Sequence, residues 1–335
     1  MTDAISFRPL NVALRPNSAA AKAYAAAARP PEPAAAGADT VEDALAAAHP
    51  LADGFKPQPG LDLKRHPGRL ISDLVFTTRY LGGEAAWLTT DRQNIDRALS
   101  AVMTEPRLEN VIAQYYQGPI SSTMLPSAVV DGALGPKFFK DDVEATVTGL
   151  FTSGGLPQTG LADTVVCLVL PRGVVLVDGL STDSDLEVRQ AASAHPRHRR
   201  PVLVDDDQVD SLHGLGGYHG SVHAGATTVY YAVSVFSEGH NGIVAFDAPW
   251  KNVVATHYHE LCEARTDPDV EDVIRTGDAS KLGWYSRRGG EIGDIPMELA
   301  GAHLSLVMQE ATLQDGTTAP LQLQWSNRAH GPEAL

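Results

Sequence analysis

The sequence predicts an α/β fold, because stretches with strand chemistry alternate with stretches of helical spacing. "DTVVCLVLPRGVVLVDG" (163–179) is β-branched and nearly all apolar, the pattern of a central strand running into a second. "TTVYYAVSVF" (227–236) reads as another strand by the same chemistry. "RQNIDRALSAVMTEPRLENVIAQYYQG" (92–118) instead repeats apolar residues at helical spacing, with Pro106 marking a new helix start.

The remaining elements fall into place around these. Residues 17–50 are dominated by Ala and Pro and lack bulky apolar side chains, so they have no core to pack on. We therefore expect 1–60 to be mostly disordered or loosely attached, and 61–335 to form a single α/β domain. "AVVDGALGPKFF" (128–139) suits a strand and a turn. "KDDVEATVTGLFTSGGLP" (140–157) suits a capped amphipathic helix closed by Gly154 and Gly155. A later helix should begin near Trp250 and stop before Pro268, since the residue preceding proline is pushed out of helical geometry.

Charge and composition exclude several function classes. Acids outnumber bases 41 to 26, a formal charge of −15, whereas phosphate-binding surfaces need clustered Lys and Arg. No nucleic-acid partner is expected. The one basic run, "HPRHRRP" (195–201), is soon followed by the acidic "VDDDQVD" and reads as a charged surface loop. No segment has the apolar length of a membrane span, and the N-terminus does not read as a secretory signal. With only Cys167 and Cys262, a disulfide framework is not expected, and a reducing, cytoplasmic setting is the simplest inference.

The chemistry concentrates in "ATHYHELCEARTDP" (255–268). It departs from the zinc-hydrolase signature H-E-x-x-H by one residue, Glu263 standing where the second histidine would be. Four residues apart on a helix, His259 and Glu263 project from one face and can ligate one divalent ion. Glu260 is turned about 100° from His259 and occupies the place of the base that takes a proton from metal-bound water. The competing reading is a solvated charged helix. The apolar "KNVVATHY" before the motif argues against it, suggesting a helix buried mostly at its N-terminal end, where unpaired charges are costly. His257 points elsewhere and reads as structural.

A further ligand must come from outside that helix. "LGWYSRRGGEIGDIPM" (282–297) offers Glu291 and Asp294 in a glycine-rich turn able to approach closely. Asp267 competes, but suits a hydrogen bond to a ligand histidine better. "GLGGYHGSVHAG" (214–225) supplies His219, a candidate oxyanion donor beside the helix. Carboxylate ligands make the site harder in character, so iron or manganese are alternatives to Zn²⁺.

These pieces resemble a known group. "HELCEARTDP" followed by "GWYSRRGGEIGD" resembles the pattern H-E-L-x-E-A-x-T-D-P … G-W-Y-x-x-x-G-x-E-I-G-D of EXORDIUM-like (phosphate-induced) proteins and their microbial relatives, regarded as zincin-like metallohydrolases. "YYQGPI" (115–120) is similar to that family's opening strand, "GGYHGS" (216–221) to its Gly-Tyr-His segment and "LQLQWSN" (321–327) to its closing strand. The resemblance spans roughly 108–328. It implies a zincin-like mixed sheet with an active-site helix and a glycine-rich return loop. Carried over, it supports His259, Glu260, Glu263, Asp267, Glu291 and Asp294 as the site, with His219 nearby. "EIGDIPMEL" lacks the cysteine that secreted members carry there, which fits an intracellular relative.

The function expected is metal-dependent hydrolysis of a peptide or small amide substrate. His259 and Glu263, with Asp294 or Glu291, would hold Zn²⁺; Glu260 would be the base, and His219 or Tyr285 the oxyanion donor. Two other classes stand against it: a non-catalytic binding protein retaining the fold, and a non-haem iron oxygenase. The second normally uses two histidines and one carboxylate. Cys262 as nucleophile ranks below both.

Overall fold

A computed structural model describes residues 50–179, 209–288 and 290–334. Most of the Ala/Pro-rich segment (1–49) and the basic run 195–201 lie outside the described residues. Strands β1 (Leu63–Arg65) and β2 (Asp73–Leu81) come first, followed by helices α1 (Thr89–Met103) and α2 (Pro106–Ala113). Next are β3 (Ser121–Met124), β4 (Ala128–Val130), β5 (Lys137–Phe139), α3 (Lys140–Thr152), β6 (Thr164–Val169) and β7 (Val175–Asp178). After 208 come β8 (Val209–Asp210), β9 (Gly217–Ala224), β10 (Thr227–Ser234), α4 (Pro249–Thr266), α5 (Val270–Thr276) and β11 (Trp284–Ser286). Helix α6 (Asp294–Ala300) and strands β12 (Met308–Thr312), β13 (Thr318–Gln322), β14 (Trp325–Ser326) and β15 (Gly331–Pro332) close the chain.

The central sheet runs β3-β2-β6-β10-β9, with β4 also paired to β2. Strands β3, β4 and β6 are parallel to β2, and β10 is parallel to β6. The edge strand β9 reverses, pairing antiparallel with β10. The chain is thus a mixed α/β fold. Strand β6 is buried at all six positions because both sheet faces are covered. Val165, Cys167 and Val169 enter the core shared with α1 and α4, whereas Val166 and Leu168 enter the one shared with Val143 and Val147 of α3. No helix among the described residues is long and apolar enough to cross a membrane.

The second strand expected in 163–179 forms as β7, which leaves the central sheet and pairs with β5 and β8. Its departure follows a turn in which Val174 N–H donates to Pro171 O at 3.3 Å. Residues 115–120 are not a strand but turns after α2, and β3 starts at Ser121. Tyr115 and Tyr116 there are committed as anchors, their hydroxyls donating to Trp325 O at 2.8 Å and Arg265 O at 2.6 Å. The closing strand 321–327 is split, because β13 pairs with β12 and β14 with β15. Finally, residues 50–60 belong to the folded body. Leu51 bridges Glu333, and the Ala52 and Gln58 N–H groups donate to Pro332 O at 2.8 Å and His330 O at 2.6 Å.

Helix α4 is the element that places the chemistry. It opens on Pro249, whose missing N–H costs nothing at a first helical position. Asn252 Oδ1 anchors the entry by accepting from Ala245 and Phe246 N–H at 2.9 and 3.0 Å. At the exit, the Arg265 guanidinium donates to Ser72 O at 2.7 Å and Ser121 O at 3.2 Å, tying the helix to β2 and β3. Burial was expected mainly at the N-terminal end. Instead Pro249–Lys251 are partly exposed and every residue from Asn252 to Thr266 is buried. Strands β9 and β10, helix α1 and β13 pack around it and leave no solvent face.

Candidate metal centre

Three segments converge on α4. The first is β9. Its alternation places Gly217, His219 and Ser221 on the face towards α4, with His219 opposite Ala232 of β10. Gly217 permits the approach, since a Cβ there would lie 2.4 Å from Val233 O and 2.9 Å from Thr256 Cγ2. The glycines of "GLGGYHG" therefore bring a strand against a helix, and His219 comes with them.

The second is the return segment after α5. Asp267 Oδ1 accepts from Gly283 N–H at 2.8 Å, fixing where that segment leaves the helix. Asp267 was expected to bond a ligand histidine through its carboxylate. Instead Oδ1 of the carboxylate holds Gly283, and the hydrogen bond with His219 Nε2, at 3.4 Å, is made by the backbone carbonyl of Asp267. Further on, Gly293 lies against the His259 ring. Gly293 and Asp294 N–H both donate to Glu263 Oε1, at 3.1 and 3.0 Å. Glu263 is thereby locked with Oε2 turned towards the histidines.

The third is β13, and its contribution went unforeseen. His259 Nδ1 donates to Gln322 Oε1 at 2.8 Å, and Gln322 Nε2 donates to Gly293 O at 2.6 Å. The ring orientation of His259 is thus set by a side chain 63 residues away. The signal in the sequence was "LQLQW", where Gln322 and Gln324 sit buried among apolar neighbours. Polar groups at such positions require partners.

With these supports, His259 Nε2 faces Glu263 Oε2 at 3.1 Å, Asp294 Oδ1 at 3.7 Å and Glu260 Oε1 at 3.9 Å. His219 Nδ1 faces Glu260 Oε2 at 3.4 Å and Glu263 Oε2 at 3.6 Å, while its Nε2 lies 3.6 Å from Glu291 Oε1. The two downstream acids therefore go to different histidines, Asp294 to His259 and Glu291 to His219. His219 has carboxylates or a carbonyl at both nitrogens. Such surroundings suit a ligand or charge partner.

Electrostatics follow from the crowding. Burial opposes charge on His259, yet Glu263, Glu260 and Asp294 outweigh it and push its pKa up to about 10. Burial likewise opposes ionisation of Glu263, but His259 and His219 pull it down to about 2. Glu260, Glu291 and Asp294 are all raised, burial being the main cause. His257 is separate: its Nε2 meets Ser234 Oγ at 2.9 Å, and burial alone lowers its pKa to about 3. Cys262 is buried and pushed up to about 12, which suits packing and not nucleophilic attack.

Several atoms at the centre have no hydrogen-bond partner: His219 Nδ1, Glu260 Oε2, Glu263 Oε2, Glu291 Oε1 and Asp294 Oδ1. No Lys or Arg among the described residues forms an ion pair with these carboxylates. Two sets of ligand atoms lie close enough together that each could hold a metal ion: His259/Glu263/Asp294 and His219/Glu260/Glu263. Compared with known proteins, the chain matches no protein family, no curated protein and no solved structure.

Proposed function

We propose that the protein is a metal-dependent hydrolase of a peptide or other amide bond, built on a zincin-like version of the α/β fold. One observation carries the reading. The unpaired buried atoms of Glu263 and Asp294 converge with His259 Nε2, at 3.1–3.7 Å from it. Metal–ligand bonds of about 2.0–2.2 Å at tetrahedral angles place neighbouring donors about 3.3–3.6 Å apart. Unpaired buried acceptors at that spacing are costly without a cation and favourable with one.

His259, Glu263 and Asp294 would hold the ion, Zn²⁺ in the first instance. Bound there, it would supply Lewis acidity towards a carbonyl and acidify a coordinated water. The chain's own residues would do the rest. Gln322 keeps the proton on His259 Nδ1, leaving Nε2 as the donor atom. Gly293 and Asp294 N–H hold Glu263 in register. Glu260, raised by burial, is suited to take a proton at its carboxylate and return it to a leaving amine. Tyr285, buried near Glu291, Asp294 and Asp267, would be a candidate oxyanion donor.

A second reading, a binding protein whose ion serves the fold alone, is favoured by burial. Asp294, 8% exposed, is the most open of the ligand candidates. Turnover separates the two readings. With the native protein loaded with Zn²⁺ and screened on peptide and amide substrates, hydrolysis that is lost in Glu260→Gln while the ion at His259 is retained supports the enzyme. No hydrolysis by any metal-loaded preparation leaves the binding protein.

A further inference from the structure

We infer that the centre is dinuclear: a second divalent cation is held by His219 Nδ1, Glu260 Oε2 and Glu263 Oε2, the last shared with the first ion. This rests on the metal-dependent reading above and extends it to a site of its own.

The sharing is visible in the position of one oxygen. Glu263 Oε1 is occupied by two backbone N–H groups, so Oε2 alone is free, and it stands between the two imidazoles. It is 3.1 Å from His259 Nε2 and 3.6 Å from His219 Nδ1. Two-metal hydrolytic sites hold their ions about 3.5–4 Å apart, a separation that a shared carboxylate spans.

Each histidine is built in the same way. His259 turns Nε2 inward and gives Nδ1 to Gln322. His219 turns Nδ1 inward, and its Nε2 faces Glu291 Oε1 at 3.6 Å. A ligand imidazole whose other nitrogen meets a carboxylate or amide is the usual arrangement around a bound metal. The hydrogen-bond partner of His219 Nε2 is Asp267 O at 3.4 Å, with Glu291 Oε1 beside it at 3.6 Å.

Donor count and charge both favour a second ion. One four-coordinate ion takes three or four protein ligands, and the first set already supplies three. It would leave His219 Nδ1 and Glu260 Oε2 buried, 3.4 Å apart and without a hydrogen bond. Glu260, Glu263, Glu291 and Asp294 are all buried, and no Lys or Arg among the described residues pairs with them. A second cation would give this crowded set of buried carboxyls a further charge partner. Glu260 can serve the second ion through Oε2 and keep Oε1, 3.9 Å from His259 Nε2, facing the first. An oxygen-rich donor set with two imidazoles suits manganese, iron or zinc.

The test is a titration of chelator-stripped full-length protein with Mn²⁺, read by elemental analysis after desalting and by electron paramagnetic resonance. The native protein should saturate at two ions per chain with an exchange-coupled spectrum. His219→Ala should saturate at one and give the uncoupled six-line signal. The isosteric Glu260→Gln should reproduce that loss, and it decides the matter if His219→Ala does not fold. Saturation of the native protein at one ion, unaffected by either variant but abolished by His259→Ala, would overturn the second site and keep the first. Two ions with no exchange coupling would overturn the shared Glu263. No binding at all would overturn both this inference and the metal reading on which it rests.

Discussion

Gly293 lies so close to His259 that a Cβ built on it would sit 2.5 Å from Nδ1 and 2.7 Å from Cε1. Nothing but glycine fits between the return segment and the ring. The same residue donates its N–H to Glu263 and accepts from Gln322, so one backbone unit orients two ligand candidates.

Gly293→Ala should therefore displace the imidazole without unfolding the chain. We expect metal affinity to fall by about 10–100-fold, the range found when the supports of a ligand are disturbed. Competition with a chelator of known affinity measures it, with circular dichroism as the check on folding. Unchanged affinity would show that His259 does not need this seat.

Gln322→Leu keeps the approximate volume and removes the acceptor for His259 Nδ1–H. It leaves a buried N–H unpaired and the ring free to turn. Metal affinity should fall by roughly 10-fold or more, whereas Gln324→Leu, buried nearby with its Nε2 donating to Gln322 O at 3.0 Å, should cost less. Equal losses in the two variants would assign Gln322 a packing role only.

His257 gives a pH dependence of stability independent of the metal ligands. Its folded pKa, about 3, lies below its ordinary value of 6.5, so the unfolded chain binds a proton that the folded chain refuses. Stability should fall as pH drops from 6.5 towards 3. At pH 4.5 the cost is about 2–3 kcal/mol. Urea unfolding of His257→Asn at pH 7 and pH 4.5 should show a smaller decline than the native protein; parallel declines would place the acid sensitivity elsewhere.

Glu260 and Glu263 should separate cleanly. Glu263→Gln removes the oxygen facing His259 and should abolish retention of the first ion. Glu260→Gln should keep the ion held by His259 and lower turnover by about 10²–10⁴-fold, the usual contribution of a general base. If both variants kept native turnover on a confirmed substrate, the assignment of roles would be wrong.

Much of the scaffold was legible because local chemistry settles it. Pro106 starts α2, Pro268 marks the end of α4, and the β-branched runs became β6 and β10. The pairing of His259 with Glu263 followed from helical spacing alone. What stayed hidden depends on distant partners. Strand β2 carries Thr77, Thr78 and Arg79 in a buried stretch, so its apolar pattern is interrupted. Residues 50–60 attach through backbone hydrogen bonds to 330–334, which composition does not register. The division of Glu291 and Asp294 between two histidines, and the support from Gln322, arise only when β9, α4, the return segment and β13 are packed together.

The most direct test of the central claim is metal content by elemental analysis, on native protein and His259→Ala purified without chelator or added metal. The account predicts at least one divalent ion per native chain, lost or reduced in the variant. No bound metal in the native protein, even after reconstitution with Zn²⁺ or Mn²⁺, would contradict it and leave the cluster a buried network of histidines and protonated carboxyls.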